Sequence, residues 1–399
     1  MFDFPVAFLE SNDGTAILAF GDGPTLSHGN NGMSSIDSFV ESHQGHYIFS
    51  CLSYDLKNQL ENLTSVHEDK VGFPEVVFWV PECVVLINGA EFNFVQGSKN
   101  EMNSKILDDL IQKRSDQEYA PIHFDMRART SKADYIQHVK DLKQEIQLGN
   151  IYEVNYCQEF FAENVELGDP LKAYFKLNAL TKAPYSSYFS IGDHTVLGGS
   201  PELYIAKEGN RVSSSPIKGT RKRSANSDED EALKKELLAD QKERSENVMI
   251  VDLVRNDLSK IATKGSVHVD ELFGVYSFKT VHQLISTISC KVDDSTSFTD
   301  VINATFPMGS MTGAPKISAM KIIEEHEEFK RGLYSGSIGF IAPNGDFTFN
   351  VVIRTLIYNH LTQYLSCAVG GAITINSDPE MEYEECLVKV KVILDGMNA

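Results

Sequence analysis

Apolar residues alternate with polar ones, or recur at every third or fourth position, in segments that predict both strands and helices. β-Branched and aromatic residues are concentrated in the segments predicted as strands, at residues 46–54, 75–87, 151–161, 186–191, 195–206, 211–216 and 266–292. Residues 343–346 (Pro-Asn-Gly-Asp) separate two further strand-like runs and predict a hairpin turn. Strands and long helices without a regular βαβ alternation predict an α+β fold, a single large domain with antiparallel sheets flanked by helices.

Capping residues set the predicted helix boundaries. Ser131, followed three residues later by Asp134, predicts a helix start, and Gly149 predicts its end. Three more helices are predicted, at 229–261, at 314–330 and from 377 or 378 to just before 396. The polar stretch 98–118 is predicted to be a mobile connection.

Composition restricts the class of function. The chain has 399 residues, 42% of them hydrophobic and 23% charged, which is typical of a globular protein. Its six cysteines form no CxxC pair, so we expect a reduced, cytoplasmic protein without disulfides or zinc. A net charge of −20 argues against nucleic-acid and anionic-membrane partners. The most apolar stretch, 76–87, is too short to span a bilayer, so no membrane segment is predicted.

Two pairs of glutamates are candidate metal ligands. Glu243 and Glu246 are three residues apart in one predicted helix, so their side chains share a face. Glu382 and Glu385 repeat this spacing in the last helix, with Lys389 one turn further on. Most such pairs are solvated helix surfaces, but Glu246 runs directly into an apolar segment. Oxygen ligands on two facing helices, with room for water and a substrate carboxylate, suit Mg²⁺.

Lys218 and Glu202 are candidate catalytic residues. Lys218 lies in the sequence Pro-Ile-Lys-Gly-Thr (216–220), between apolar and small residues. A lone lysine is usually exposed, but burial here would lower its pKa and make the amine nucleophilic. An antiparallel return of the chain would bring Glu202 beside it as a general acid with a raised pKa. The small-residue loop 309–316 also precedes a predicted helix, whose free N–H groups would attract a carboxylate.

Several ordered motifs resemble the chorismate-utilising enzymes. They are residues 216–220, Glu246-Asn247 followed by Asp-Leu-Val-Arg-Asn-Asp (252–257), 309–316, Val-Ile-Arg (352–354) and Gly-Gly-Ala (370–372) leading to Ser-Asp-Pro (377–379). The resemblance covers about residues 131–394, and two N-terminal motifs, at 8–11 and 52–55, are similar to the aminating members. It implies an N-terminal segment of anthranilate synthase component I type at 1–125, folded together with a chorismate-binding catalytic core at 126–399.

The resemblance also implies roles for individual residues. Mg²⁺, which would bind the ring carboxylate of chorismate, is expected to be held by Glu246 and Glu385, supported by Glu243 and Glu382. Arg354 and backbone groups near Gly371 would hold the enolpyruvyl carboxylate, and His282 would approach the reacting ring. The expected substrate-binding residues are Arg354, Gly371, Gly309, Ser310, Thr220 and Lys389. The cations among these would offset the acidic charge of the protein.

Position 218 distinguishes the members of this family. Anthranilate synthases typically have alanine there, and ammonia attacks ring carbon 2. Members that aminate ring carbon 4 have lysine, as this chain does at Lys218. The lysine amine attacks carbon 2 as the carbon 4 hydroxyl leaves with help from Glu202, and ammonia then attacks carbon 4 and expels the lysine. The expected product is 4-amino-4-deoxychorismate, a precursor of para-aminobenzoate and folate.

Three alternatives remain at this point. Anthranilate synthesis would make Lys218 a bystander. Isochorismate synthesis typically uses a lysine base where this chain has Glu153, a residue that also departs from the glutamine usual in aminating members. The same departure motivates a non-catalytic regulatory subunit. For amination, no cysteine lies in the Gly-x-Cys-x-Gly setting of a glutaminase nucleophile, so a separate glutamine amidotransferase subunit is the expected ammonia source.

Overall fold

Two large antiparallel sheets form the centre of the protein in a computed structural model that describes residues 3–28, 32–115 and 122–398. Within these ranges the strands are β1 Val6–Glu10, β2 Thr15–Phe20, β3 Thr25–His28, β4 Ile48–Leu52, β5 Val76–Trp79, β6 Cys83–Asn88, β7 Glu91–Gln96, β8 Arg127–Ala128, β9 Glu153–Ala162, β10 Tyr185–Ile191, β11 His194–Ser200, β12 Leu203–Glu208, β13 Arg211–Ser215, β14 Ile217–Lys222, β15 His268–Ser277, β16 Val281–Lys291, β17 Gly313–Ala314, β18 Ser337–Ile341, β19 Phe347–Asn350, β20 Thr355–Asn359 and β21 Tyr364–Ile373. The helices are α1 Gly32–Ser42, α2 Lys57–Leu60, α3 Glu101–Ser115, α4 Lys132–Gln147, α5 Pro170–Thr181, α6 Ser227–Ala239, α7 Gln241–Ser259, α8 Phe298–Thr305, α9 Lys316–His326 and α10 Pro379–Asn398. Short 3₁₀ turns lie at Tyr54–Leu56 and Gly309–Met311.

The first sheet has eleven strands, in the order β17-β9-β21-β20-β11-β10-β1-β2-β6-β7, with β8 paired to β9. The second has ten, in the order β14-β16-β13-β12-β19-β18-β4-β5-β3, with β15 paired to β16. All pairings between described strands are antiparallel. The predicted α+β fold is therefore confirmed, and so is the hairpin turn at 343–346, which joins β18 to β19.

Two hydrophobic cores lie on opposite faces of the eleven-stranded sheet. Because side chains alternate along a strand, Ala7 of β1 belongs to one core and Phe8 to the other. The first core joins this sheet to the second sheet and includes residues of α1, α7 and α8. The second core packs the sheet against α3, α4, α5, α9 and α10. Strands from residues 1–125 lie in both sheets, next to strands of the remaining chain.

Three predicted helices differ in extent from those observed, the last helix among them. The segment 229–261 forms α6 and α7, because the Asp240 carboxylate accepts the N–H groups of Lys242 and Glu243 and starts a new helix. The segment 314–330 is helical from Lys316 to His326. By contrast, the predicted start at Ser131 is confirmed, since its side chain caps α4.

The last helix does not end before Gly396, as predicted, but continues to Asn398. A side-chain carbon at Gly396 would lie 2.3 Å from Cδ1 of Leu180 in α5. This glycine therefore permits close packing of two helices and does not mark a helix end.

The stretch 98–118 was predicted as a mobile connection, but most of it forms α3. Leu107 and Leu110 share one buried face of this helix, and Arg114 pairs with Glu10 of β1. Residues 116–118 lie outside the described residues. The structure also adds α8 and β14, which the apolar pattern did not predict.

All six cysteines are buried and free, in agreement with their scattered spacing. In the part of the chain that the structure describes, no helix is both long and apolar enough to cross a membrane.

Candidate active site

A cavity of about 480 Å³ lies where one end of each sheet meets α7 and α10. The first sheet contributes β9 and β21, and the second contributes β14 and β16. The 3₁₀ turn Gly309–Met311 and the loops that carry Glu202 and Arg354 complete the wall. Most of the predicted site residues, which are far apart in the sequence, meet in this cavity.

Lys218 lies in β14, with its amine in a buried ion pair. Its Nζ donates a hydrogen bond of 2.6 Å to Oε1 of Glu153, which comes from β9 of the other sheet. The side chains of Lys218 and Glu153 are 9% and 5% exposed. The amine is therefore fixed in the cavity wall by a carboxylate that the sequence reasoning did not connect with it.

The charge state of Lys218 differs from the prediction. Burial by itself disfavours the charged amine, but the carboxylates of Glu153 and Glu246 outweigh it and raise the pKa of Lys218 above its usual value. The predicted net lowering of this pKa is therefore wrong, because it left the paired carboxylate of Glu153 out. The paired carboxylate therefore favours the ammonium form of Lys218.

Glu202 follows β11 and lines the same cavity as Lys218. Burial raises the pKa of Glu202 to about 7, since the carboxylate loses its water, although Lys218 and Arg354 act in the opposite direction. A carboxyl group with this pKa holds its proton in a substantial fraction of molecules near neutral pH. It is thus suited to act as a general acid.

The two predicted glutamate pairs face one another across the cavity, Glu243 and Glu246 from α7 and Glu382 and Glu385 from α10. Burial raises the pKa of Glu246 to about 7. Lys242 Nζ lies 3.8 Å from Glu246 Oε1 and 3.8 Å from Glu382 Oε1. The lysine therefore supplies positive charge among the carboxylates.

The four glutamates of α7 and α10 offer carboxylate oxygens, which are the ligands that a hard cation prefers. Oxygen ligands on two facing helices suit Mg²⁺, and Oε1 of Glu246 is buried without a hydrogen-bond partner. Within residues 3–28, 32–115 and 122–398, however, no three His, Cys, Asp or Glu side chains are close enough together to hold an ion. Lys242 is half exposed, so its side chain has room to move away from the carboxylates.

Five of the six predicted substrate-binding residues line the cavity: Arg354, Gly371, Ser310, Thr220 and Lys389. Arg354 has a φ of 52°, in the left-handed region that non-glycine residues rarely adopt. Among the described residues its guanidinium group has no ion-pair partner, and burial lowers its pKa. A desolvated, unpaired guanidinium in a cavity is suited to binding a carboxylate.

Lys389 lines the cavity as expected, whereas Gly309 does not. Lys389 already pairs with Glu385 at 2.8 Å and donates a hydrogen bond of 2.7 Å to the carbonyl oxygen of Gly370. Gly309 does not line the cavity, and a side-chain carbon there would lie 2.7 Å from Leu253 of α7. Gly309 therefore serves close packing of the turn against α7.

The predicted anion site at a helix start is not formed as expected. Strand β17 and Pro315 separate the turn from α9, and the N–H groups of Met311 and Thr312 are bonded within the turn itself. The turn contributes Ser310 and Met311 to the cavity wall and does not present the end of a helix.

His282 does not enter the cavity. It is fully buried, with Nε2 2.9 Å from Oδ1 of Asp230 and Nδ1 2.9 Å from Oγ of Ser277. Because side chains alternate along β16, the next residue, Gln283, lines the cavity instead, and its Oε1 has no hydrogen-bond partner. The residue of β16 that reaches the cavity is therefore Gln283 and not the expected His282, because neighbouring residues of a strand point to opposite faces.

A buried ion pair that the sequence reasoning missed supports the cavity from behind. Arg331 and Glu327 form a two-pronged ion pair, with contacts of 2.6 and 2.8 Å. The Arg331 guanidinium also donates to the carbonyl oxygens of Met311 and Asn155, at 2.7 and 2.9 Å. The pair therefore fixes the 3₁₀ turn against β9.

The amino-acid sequence matches a known protein family and several known proteins. Residues 16–395 match the sequence model of the family described as chorismate binding enzyme. The chain is 33% identical over 341 residues to aminodeoxychorismate synthase component 1 of Escherichia coli (strain K12), covering 86% of this chain and 74% of that relative. It is 34% identical over 373 residues to anthranilate synthase component 1 of Acetivibrio thermocellus, covering 86% of this chain and 73% of that relative.

The fold agrees with these sequence matches. The crystal structure of anthranilate synthase component I from Streptococcus pneumoniae TIGR4 superposes with a TM-score of 0.82 at 25% identity, covering 96% of this chain and 92% of that one. Because similar relatives carry two different names, overall identity does not choose between two reactions. The choice depends on the residues in the cavity.

Proposed function

Because the chain belongs to the chorismate binding enzyme family and is an enzyme acting on chorismate, we propose that it aminates ring carbon 4, as aminodeoxychorismate synthases do. The product is 4-amino-4-deoxychorismate, a precursor of para-aminobenzoate and folate. The observation that carries the proposal is the amine of Lys218, buried in the wall of the cavity that also contains Glu202. A nucleophile and a general acid in one cavity are what amination through a covalent intermediate requires.

The proposed reaction uses these two side chains in sequence. The neutral amine of Lys218 attacks ring carbon 2, and the electron pairs of the two ring double bonds shift so that the bond from carbon 4 to its hydroxyl breaks. Glu202 gives its proton to the departing hydroxyl, which leaves as water. Ammonia then attacks carbon 4, the double bonds shift back, and the lysine leaves carbon 2.

Arg354 is proposed to bind the enolpyruvyl carboxylate of chorismate. Its guanidinium group is desolvated and lacks an ion-pair partner among the described residues, so a substrate carboxylate would complete its bonding. Gly371 lies in the same wall, where a side-chain carbon would come within 3.3 Å of Oε2 of Glu382. The absence of a side chain there leaves the backbone accessible to substrate.

Mg²⁺ is the proposed cofactor, held by Glu246 and Glu385 with Glu243 and Glu382 in support. The fit rests on the buried, unpartnered oxygen of Glu246 and on the facing arrangement of the four carboxylates. When bound, the cation neutralises these carboxylates and attracts the ring carboxylate of chorismate. Lys242 would have to move aside, because its amine lies between Glu246 and Glu382.

Loss of a proposed ligand should weaken Mg²⁺ binding. In titration calorimetry of Mg²⁺ alone, we expect Glu246→Gln and Glu385→Gln to lower the affinity at least about 10-fold, since even indirect partners of a metal often contribute that much. Glu384→Gln is the matched control, because Glu384 is exposed beside Glu385 and pairs with Lys132. Equal Mg²⁺ affinity in the wild type and both ligand variants would contradict the assignment.

Ammonia is proposed to come from a glutamine amidotransferase subunit. The name component 1, carried by the Escherichia coli relative, supports a second component. All six cysteines of this chain are buried, so none offers an accessible thiol for glutamine hydrolysis. Free ammonium at high concentration should replace the partner in an assay.

Anthranilate synthesis is the second candidate, favoured by the likeness to anthranilate synthases in sequence and fold. Product analysis separates the two. With chorismate, ammonium and Mg²⁺, we expect 4-amino-4-deoxychorismate and no release of pyruvate. Anthranilate together with pyruvate would overturn the proposal and make Lys218 a bystander.

A further inference from the structure

The buried pair of Lys218 and Glu153 presents a chemical problem for the proposed reaction. An ammonium group has no lone pair and cannot attack carbon, yet the bond of 2.6 Å from Lys218 Nζ to Glu153 Oε1 favours the ammonium form of this lysine. Both side chains are buried, so bulk water is not an easily accessible proton acceptor. The nucleophile must lose its proton inside the cavity wall.

Resting on the proposed function, we propose that Glu153 is a further catalytic residue, the base that accepts the proton of Lys218 when the amine attacks chorismate. Glu153 touches the reacting nitrogen directly, and it is the one carboxylate among the described residues within ion-pair distance of Lys218. The proton moves along an existing hydrogen bond, so no water has to enter.

The proton balance of the step can be written completely. One N–H bond of Lys218 breaks, and its proton goes to Oε1 of Glu153, leaving a neutral amine and a neutral carboxyl group. The freed electron pair forms the bond from Nζ to carbon 2, while Glu202 gives a different proton to the departing hydroxyl. After ammonia attacks carbon 4, the electron pair of the bond from Nζ to carbon 2 returns to Lys218. The proton held by Glu153 then restores the ion pair.

The other carboxylates of the cavity are less suited to this task. The charged groups around the pair are Glu202 before β12, Glu246 and Lys242 on α7, Glu385 on α10 and Arg354 before β20. Glu202 has to arrive protonated as the acid, and Glu246 lies near Lys242 and is one of the proposed Mg²⁺ ligands. Glu153 forms an ion pair with Lys218 and is proposed neither as the general acid nor as a Mg²⁺ ligand.

An internal base changes how the rate depends on pH. In the buried pair one proton is shared along the hydrogen bond from Lys218 Nζ to Glu153 Oε1. Moving that proton from Lys218 to Glu153 needs no exchange with solvent, and its contribution to the rate is therefore independent of pH. With glutamine at position 153, the proton must leave to solvent, and the neutral amine fraction rises with pH.

The test measures formation of the protein–chorismate adduct by rapid quench and intact-mass analysis, with saturating Mg²⁺ and no ammonia. The rate in the wild type is divided by the rate in Glu153→Gln at each pH, which cancels the titration of Glu202, the general acid in both proteins. We expect this ratio to fall about tenfold per pH unit between pH 6 and pH 8. Glu153→Asp, which keeps a carboxylate, should react more slowly but give a ratio to wild type that does not change with pH.

Glu163→Gln is the matched control, because Glu163 follows β9, is about half exposed and pairs with Arg127. It should match the wild type at every pH. A constant ratio of wild type to Glu153→Gln across the range, whether near one or far above it, would overturn the role of Glu153. If the wild type itself forms no adduct and no 4-amino product, the proposed function fails, which is a separate outcome.

Discussion

Replacing Lys218 with alanine is expected to abolish formation of 4-amino-4-deoxychorismate. Removal of a covalent nucleophile leaves its partners unable to complete the reaction, so we expect a loss on the order of 10⁴-fold or more. The vacated space beside Glu153 also admits free ammonia, whose attack on carbon 2 would give some anthranilate-type product. The measurement is chromatographic separation of products from chorismate, ammonium and Mg²⁺.

The matched control is Lys222→Ala, at the exposed end of the same strand β14. It removes a lysine amine without touching the cavity and should retain wild-type activity. A Lys218→Ala protein that makes the 4-amino product at the wild-type rate would show that the amine is not the nucleophile.

Glu202→Gln is expected to reduce the rate about 10²- to 10⁴-fold, the usual contribution of a positioned general acid. Because burial raises the pKa of Glu202 to about 7, the protonated form is present below this pH and is lost as the pH rises through it. Wild-type activity should therefore decline above about pH 7 on account of this group. The variant has no proton to lose there, so its residual activity should lack this decline.

The control for Glu202 is Glu208→Gln, since Glu208 is exposed at the end of β12. Its pH profile should coincide with that of the wild type. Retention of the decline above pH 7 in Glu202→Gln would assign the titration to another group, with Glu246 as the next candidate because burial raises its pKa to about 7 as well.

Local signals predicted much of the fold. The caps at Ser131 and Asp240, the hairpin at 343–346 and the strand composition all depend on near neighbours in the sequence. The cap at Asp240 is equally local, but the helical pattern of 229–261 predicts a single helix where this cap divides it into two. The role of Gly396 depends on Leu180 of a distant helix, which no local signal indicates.

The sequence predicted which residues line the cavity better than it predicted the contacts among these residues. The spacing of the glutamates in α7 and α10 and the motif around Lys218 placed most residues in one site. Lys218 and Glu153 belong to different sheets and are 65 positions apart in the sequence. No local sequence pattern predicts that they form a pair. The raised pKa of Lys218 follows from that pairing and was missed with it.

His282 and Gln283 show that an error of one position in a strand changes which face a side chain occupies. Both lie in β16, but they face opposite sides, and Gln283 reaches the cavity. A strict period of two counted back from the fully buried Leu284 and Ser286 would place 284, 286 and 282 on one face. Residue 283 therefore lies on the other face, which borders the cavity.

The central claim is that Lys218 becomes covalently attached to the ring of chorismate, and one experiment tests it directly. The wild-type protein is mixed with chorismate and Mg²⁺ without ammonia, quenched, weighed intact and digested for peptide mapping. The account predicts an increase equal to chorismate less one water, located on Lys218, that disappears on addition of ammonium as 4-amino-4-deoxychorismate is released. An adduct that persists in Lys218→Ala, or 4-amino product formed by a wild-type protein that never carries an adduct on this lysine, would contradict it.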